Sequence, residues 1–212
     1  YLESHGAQML VIACNTATAL ALDRIIAAAH VPVVGVVEPG AEAAAAATKN
    51  RRIVVIGTEA TVGSHAYRKA LEARGLQARE KACPLLVPLV EEGWVEHSIT
   101  KQVARIYLAE AFADGFHDAD VLVLGCTHYP LLKPLLERVA PGHVNIVDSA
   151  ESTAHAVASH LRQLLPDVQG EERRAIPRLK FFATDSVEKF RRLGARFLGH
   201  PIEDVQHVDL KE

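Results

Sequence analysis

Two of the three cysteines stand at matching places in the chain. Cys14 follows the apolar run MLVIA and precedes Asn15 and Thr16, while Cys126 follows VLVLG and precedes Thr127 and His128. In each segment, VIACNTA and VLGCTHY, an apolar strand end leads through a small residue to a thiol and then to a hydrogen-bonding pair. A thiol where a helix begins feels the positive end of the dipole and free backbone N–H groups, both of which favour thiolate. A free cysteine titrates at about 8.5, so a modest downward shift gives a usable base near neutral pH. The polar residues that follow can hold a carboxylate against the same N–H groups. The resemblance of the two segments is a weak internal repeat. Two such half-sites facing one another would set a thiol on each side of a substrate carbon. That is the requirement of a cofactor-free racemase, in which one sulfur removes the α-proton and the other returns a proton to the opposite face.

Other chemistries have less behind them. Cys83 precedes Pro84, belongs to no repeat, and reads as a buried structural thiol packing as a small hydrophobe. Cys126 and His128 form a C-x-H pair without the second close pair that a zinc site needs. A phosphate-transfer cysteine would want an arginine about six residues on, where Leu20 and Leu132 stand instead. No G-x-S-x-G, G-x-G-x-x-G or P-loop pattern occurs, so hydrolase, dinucleotide and P-loop readings lack a motif.

The elements that must hold these residues alternate along the chain. Strands are expected over 9–13, 31–37, 52–56, 77–82, 121–124, 143–147 and 179–183, each short and mostly apolar. Helices are expected over 16–29, 40–48, 63–73, 99–112, 131–139, 149–165 and 187–193. Strand–helix alternation means parallel sheets with helices on both faces, and ligands then bind beyond the carboxyl ends of strands. The strands at 9, 52 and 121 read as buried on both sides, because their apolar character is continuous. Segments 36–42 (VVEPGAE) and 147–153 (VDSAEST) read as hinges, and 165–178 as an exposed charged loop. The expected fold class is α/β. Two doubly wound parallel-sheet domains would be related by pseudo-symmetry, residues 1–38 plus 150–212 and residues 39–149, with the active site in the cleft between them.

The bulk numbers set the frame. The 212 residues are enough for a real core. Apolar residues make up 49% and charged residues 23%, the balance of an ordinary globular protein. A net charge of −3 gives no basic surface of the kind nucleic acid needs, and no apolar run approaches the ~20 residues of a membrane span. Three widely spaced cysteines argue against a disulfide framework and for a reducing, cytoplasmic location. The opening YLESHGAQ reads as a helix tail ending at Gly6, so the chain is expected to begin inside a domain.

With these residues in view, the chain resembles the aspartate/glutamate racemase superfamily. The segments ACNTATA (13–19) and LGCTHYPLL (124–132) resemble its two signature segments. The likeness continues through PVVGVVEPGAEAA (32–44), IGTEATVGSHAYRKAL (56–71), CPLLVPLVEEGW (83–94) and VDSAEST (147–153). The resemblance implies that Cys14 and Cys126 are the catalytic acid/base thiols, with no pyridoxal phosphate and no metal. It implies that Asn15, Thr16, Thr127 and His128 bind the amino acid, with His128 also assisting Cys126. Glu91 resembles an acidic residue near the family's active site, with its neighbour Glu92 as the alternative. Thr58 and Thr61 resemble a substrate-carboxylate loop, while Asp23, Glu38 and Asp148 read as structural or capping residues. C-T-H-Y is the glutamate-type pattern; aspartate-type members typically carry Glu after the second Cys-Thr. Family members begin with a strand bearing Asp-Ser-Gly, followed by Pro-Tyr-Gly, and neither occurs in these 212 residues. The resemblance therefore implies interconversion of L- and D-glutamate, supplying peptidoglycan precursors in a bacterial cytoplasm. Glutamate would be the partner, without nucleic acid or membrane. Family members are often dimers, so a homodimer is among the implied assemblies. Racemisation of another amino acid such as aspartate, and a non-catalytic binding protein of the same fold, are the alternatives.

Overall fold

A computed structural model describes residues 1–164 and 179–210; the loop expected over 165–178 lies outside them. The chain divides into two compact units, Leu2–Leu161 and Arg162–Glu212 with Tyr1.

The larger unit opens with a 3-10 turn, Glu3–His5, closed by Gly6 at φ 84°, a left-handed conformation open to glycine at little steric cost. Strand β1 (Leu10–Ile12) then lies parallel to β2 (Val33–Gly35), joined by helix α1 (Asn15–Ala28). Four further strands form one parallel sheet in the order β4-β3-β5-β6. They are β3 (Arg52–Gly57), β4 (Gln77–Ala82), β5 (Val121–Gly125) and β6 (Asn145–Asp148). The residues of β3 and β5 alternate between two cores. Ile53, Val55, Val121 and Val123 pack with Val37, Ala41, Tyr67 and Leu71 from helices α2 (Val37–Ala47) and α4 (Ala66–Glu72). Val54, Ile56, Leu122 and Leu124 pack instead with α5 (Leu86–Glu91), α6 (Ser98–Ala111) and α7 (Lys133–Val139). A strand covered on both faces has no position left for a polar residue, which is why these runs are continuously apolar. Helix α3 (Glu59–Ser64) follows β3, and α8 (Ser149–Leu164) follows β6.

The smaller unit holds β7 (Phe181–Ala183) parallel to β8 (Val205–His207), joined by α9 (Val187–Leu198). Ser186 caps α9 by accepting the Lys189 N–H, and Gly199 ends it in the left-handed region.

Several expectations need correction. Strand β1 is not buried on both sides: among the described residues it pairs only with β2, and Val11 is 41% exposed. Segment 36–42 carries the start of α2 rather than an open linker, with Pro39 in the first turn, where its missing N–H has no helical partner to lose. The helix expected over 63–73 breaks at His65 (φ 57°), giving α3 and α4. Helix α5 and strand β8 were not anticipated, and α9 runs past 193 to Leu198. The start of α8 is tied to the sheet, with Ser149 and Thr153 buried and the Ser149 hydroxyl donating to the Leu124 carbonyl at 3.3 Å.

Candidate active site

In the central sheet, the chain passes from β3 to β4 on one side, and then β5 and β6 add on the other. The carboxyl ends of β3 and β5, paired at Gly57 and Gly125, are therefore the topological switch point, where open α/β sheets bind ligands. Thr58 follows the first strand and Cys126 the second. Gly125 has to be glycine: a Cβ there would stand 2.9 Å from the Ile56 carbonyl oxygen and 3.1 Å from the Tyr67 ring.

Cys126 is 4% exposed. It is followed by a turn and a 3-10 helix, Tyr129–Leu132, rather than directly by an α-helix. Burial pushes its thiol up to about 11, against the backbone N–H groups of His128 and Tyr129, which pull it down; the nearby charge of Cys14 pushes it up further. Its Sγ stands 3.9 Å from His128 Nδ1, and His128 Nε2 lies 3.3 Å from Glu91 Oε1. A carboxylate, an imidazole and a thiol thus form one line, and of the two adjacent glutamates it is Glu91 that joins it. The Tyr129 hydroxyl is shared between the Gly57 and Cys83 carbonyls, at 3.1 and 3.0 Å, which pins the Cys126 turn to the ends of β3 and β4.

Cys14 is exposed and caps α1, its sulfur accepting the Ala17 N–H at 3.4 Å. The helix is held to its strand by Thr18, whose hydroxyl donates to the Ile12 carbonyl at 2.9 Å. Asn15 is only 1% exposed, and its Oδ1 accepts the Tyr67 hydroxyl at 2.7 Å. The Thr16 hydroxyl meets those of Thr58 at 2.9 Å and Thr61 at 3.1 Å, and the latter two are 3.0 Å apart. This triangle of hydroxyls joins the Cys14 helix to the loop after β3.

Both cysteines, Asn15, Thr16, Thr127 and His128 lie in the same compact unit. A cavity of about 350 Å³ opens beside both segments, lined by Ala13, Val36, Thr127, Pro130, Ser149 and Thr153 among others. Neither sulfur lines it. A larger one of about 620 Å³, between α2 and α8, is lined by none of the expected site residues. Among the described residues no cluster of His, Cys, Asp and Glu could hold a metal, and no helix is long and apolar enough to cross a membrane. Cys83 is fully buried, its thiol pushed up to about 12 by that burial, as a packing residue should be. Glu38 pairs with Arg74 at 2.7 Å, and Asp148 accepts the Ala150 N–H at 2.8 Å. Sequence reasoning missed Tyr67, which appears in the chain only as an aromatic on a short amphipathic helix.

Residues 1–157 match the Asp/Glu/hydantoin racemase family. A glutamate racemase of Koribacter versatilis is 58% identical, over 99% of this chain and 78% of that protein. One from Geobacter metallireducens is 43% identical, over 100% of this chain and 77% of its own. Among solved structures, a glutamate racemase isoform from Bacillus anthracis superposes with a TM-score of 0.88 at 36% identity, covering 99% of this chain and 76% of that one. A glutamate racemase from Francisella tularensis in complex with D-glutamate gives 0.85 at 28% identity, covering 98% and 76%. The chain spans about three quarters of the length of these relatives.

Proposed function

We infer the mechanism from one premise: the chain belongs to the Asp/Glu/hydantoin racemase family and is a racemase of the glutamate type, an isomerase. The α-carbon of glutamate sits between Cys14 and Cys126. One sulfur, as thiolate, takes the α-proton: the C–H bond breaks, an S–H bond forms, and the electron pair moves toward the substrate carboxylate. The other sulfur, as thiol, delivers its proton to the opposite face and is left as thiolate. The mirror-image substrate reverses the roles.

The difficulty is the weak acidity of the α-proton, since each pKa unit of mismatch with the base costs about 1.36 kcal/mol. The developing oxyanion needs donors already in place. Asn15, Thr16, Thr127 and His128 supply them, together with backbone N–H groups. The line from Glu91 through His128 to Cys126 steadies the imidazole that assists the second thiol. The observation that supports this reading most is the triangle of Thr16, Thr58 and Thr61 hydroxyls, because it joins the helix headed by Cys14 to the end of β3, which pairs at Gly57 with Gly125, the residue before Cys126. In this reading residues 1–38 with 150–212 and residues 39–149 are the two functional halves, each contributing one thiol. The enzyme supplies D-glutamate to peptidoglycan precursors in the cytoplasm, as a homodimer.

The test uses the product of the whole gene. Cys14→Ala and Cys126→Ala each abolish racemisation followed by circular dichroism. Each variant retains solvent deuterium exchange of one enantiomer, with opposite preference. Undiminished turnover by either variant rules the two-thiol scheme out.

A further inference from the structure

We propose that Tyr67 is a positioning residue for the reaction: its hydroxyl fixes the amide of Asn15 so that Nδ2 is presented to the bound amino acid as a donor. This rests on the reading of Asn15 as a substrate-binding residue. Asn15 is almost wholly buried, its Oδ1 accepts the Tyr67 hydroxyl at 2.7 Å, and its Nδ2 has no hydrogen-bond partner among the described residues. An unmatched buried donor is costly, so such a group in a native site points to a ligand that completes it.

An amide has two ends, and flipping it exchanges donor for acceptor. Which end faces the substrate is therefore decided by what holds the other. Tyr67 is fully buried, and that burial holds its phenol above the ordinary value, so the hydroxyl keeps its proton and donates. A donor on that side selects Oδ1. The phenol itself cannot turn away. A Cβ on Gly40 would stand 3.0 Å from its oxygen, and a Cβ on Gly125 would stand 3.1 Å from its ring. Without this hydroxyl the amide is free to turn its carbonyl oxygen toward an anionic carboxylate, where like partial charges repel.

Tyr67→Phe removes one oxygen and keeps the packed ring. In the whole gene product, KM for D-glutamate rises about tenfold, as befits one donor to a charged group, while kcat changes less and the thermal midpoint stays close to wild type. In an Asn15→Ala background the same substitution has no further effect on KM, because its route has been removed. An unchanged KM, or the same tenfold rise with Asn15 already absent, overturns the inference. Should Tyr67→Phe fail to fold, Asn15→Asp decides. It keeps an acceptor for Tyr67 but puts an oxygen where Nδ2 stood, so KM rises as far as in Asn15→Ala or beyond. A wild-type KM in Asn15→Asp overturns the inference. A wild type that does not racemise glutamate overturns both this and the reading it rests on, whereas an active wild type with an indifferent Tyr67→Phe overturns this alone.

Discussion

The proton-carrying role proposed for Cys126 depends on where the residue sits. With its thiol pushed up to about 11 by burial, roughly one molecule in ten thousand holds it as thiolate at pH 7. In the proposed two-thiol scheme it is then ready as the acid toward the enantiomer that Cys14, exposed at the start of α1, deprotonates, and the roles swap for the mirror image. Alkylation separates the three thiols. Brief iodoacetamide treatment at pH 7 labels Cys14 at least about tenfold faster than Cys126 or Cys83, both buried, and peptide mass mapping reads the ratio. Raising the pH brings Cys126 labelling up about tenfold per unit until its own pKa is approached. Equal labelling of Cys14 and Cys126 at pH 7 contradicts this division of roles. Much of this site was legible in the sequence, because Cys14, Asn15 and Thr16, and likewise Cys126, Thr127 and His128, are neighbours at the ends of apolar runs. The partners were not legible. Tyr67 reaches Asn15 across 52 positions and Thr16 reaches Thr61 across 45, and only the folded chain brings such pairs together.

At the scale of elements, one carboxylate fastens the end of α2 to the start of β5. Asp120 accepts hydrogen bonds from the Thr48 hydroxyl at 2.6 Å and from the N–H groups of Lys49 and Asn50 at 2.6 and 3.1 Å. Burial alone would raise this carboxyl, but these three donors outweigh it and hold the group below its ordinary value of 3.8. Asp120→Ala is expected to cost about 2 kcal/mol, as lost bonds to a charged acceptor do, and Asp120→Asn less, because it keeps an acceptor. A group whose folded pKa is depressed contributes stability that is complete above the unfolded value and lost as pH falls through the folded one. The gap in urea midpoint between wild type and Asp120→Asn should therefore be full at pH 6 and shrink by pH 3. A gap independent of pH argues against the charge. The strands of this sheet were readable in the chain because both faces of β3 and β5 are buried, leaving unbroken apolar runs. The break between α3 and α4 was not readable. His65 ends one helix at φ 57°, and there the local sequence offers only an ordinary helical pattern. Strand β8 carries just Val205, Gln206 and His207, too little periodicity to distinguish it from loop.

For the molecule as a whole, topology gathers the chemistry more than any one contact does. The order β4-β3-β5-β6 brings the ends of β3 and β5 together, and with them Thr58, Thr61 and Cys126; the hydroxyl triangle then draws in Thr16 and the helix headed by Cys14. A ligand bound there bridges segments that otherwise hold to one another through a few polar contacts, so binding should register as global stability. Occupancy at 100 times Kd adds about 2.7 kcal/mol. For a protein of this size each kcal/mol moves the midpoint about 2–4 °C, so saturating D-glutamate should raise Tm by about 5–10 °C in a thermal melt. D-aspartate is one methylene shorter. Held by its α-carboxylate at the same hydroxyls, it cannot place its second carboxylate where that of glutamate lies, and at the same concentration it should move the midpoint by less than half as much. A shift for D-aspartate equal to or larger than that for D-glutamate would transfer the preference to the shorter amino acid, and it would do so whether or not turnover had been measured.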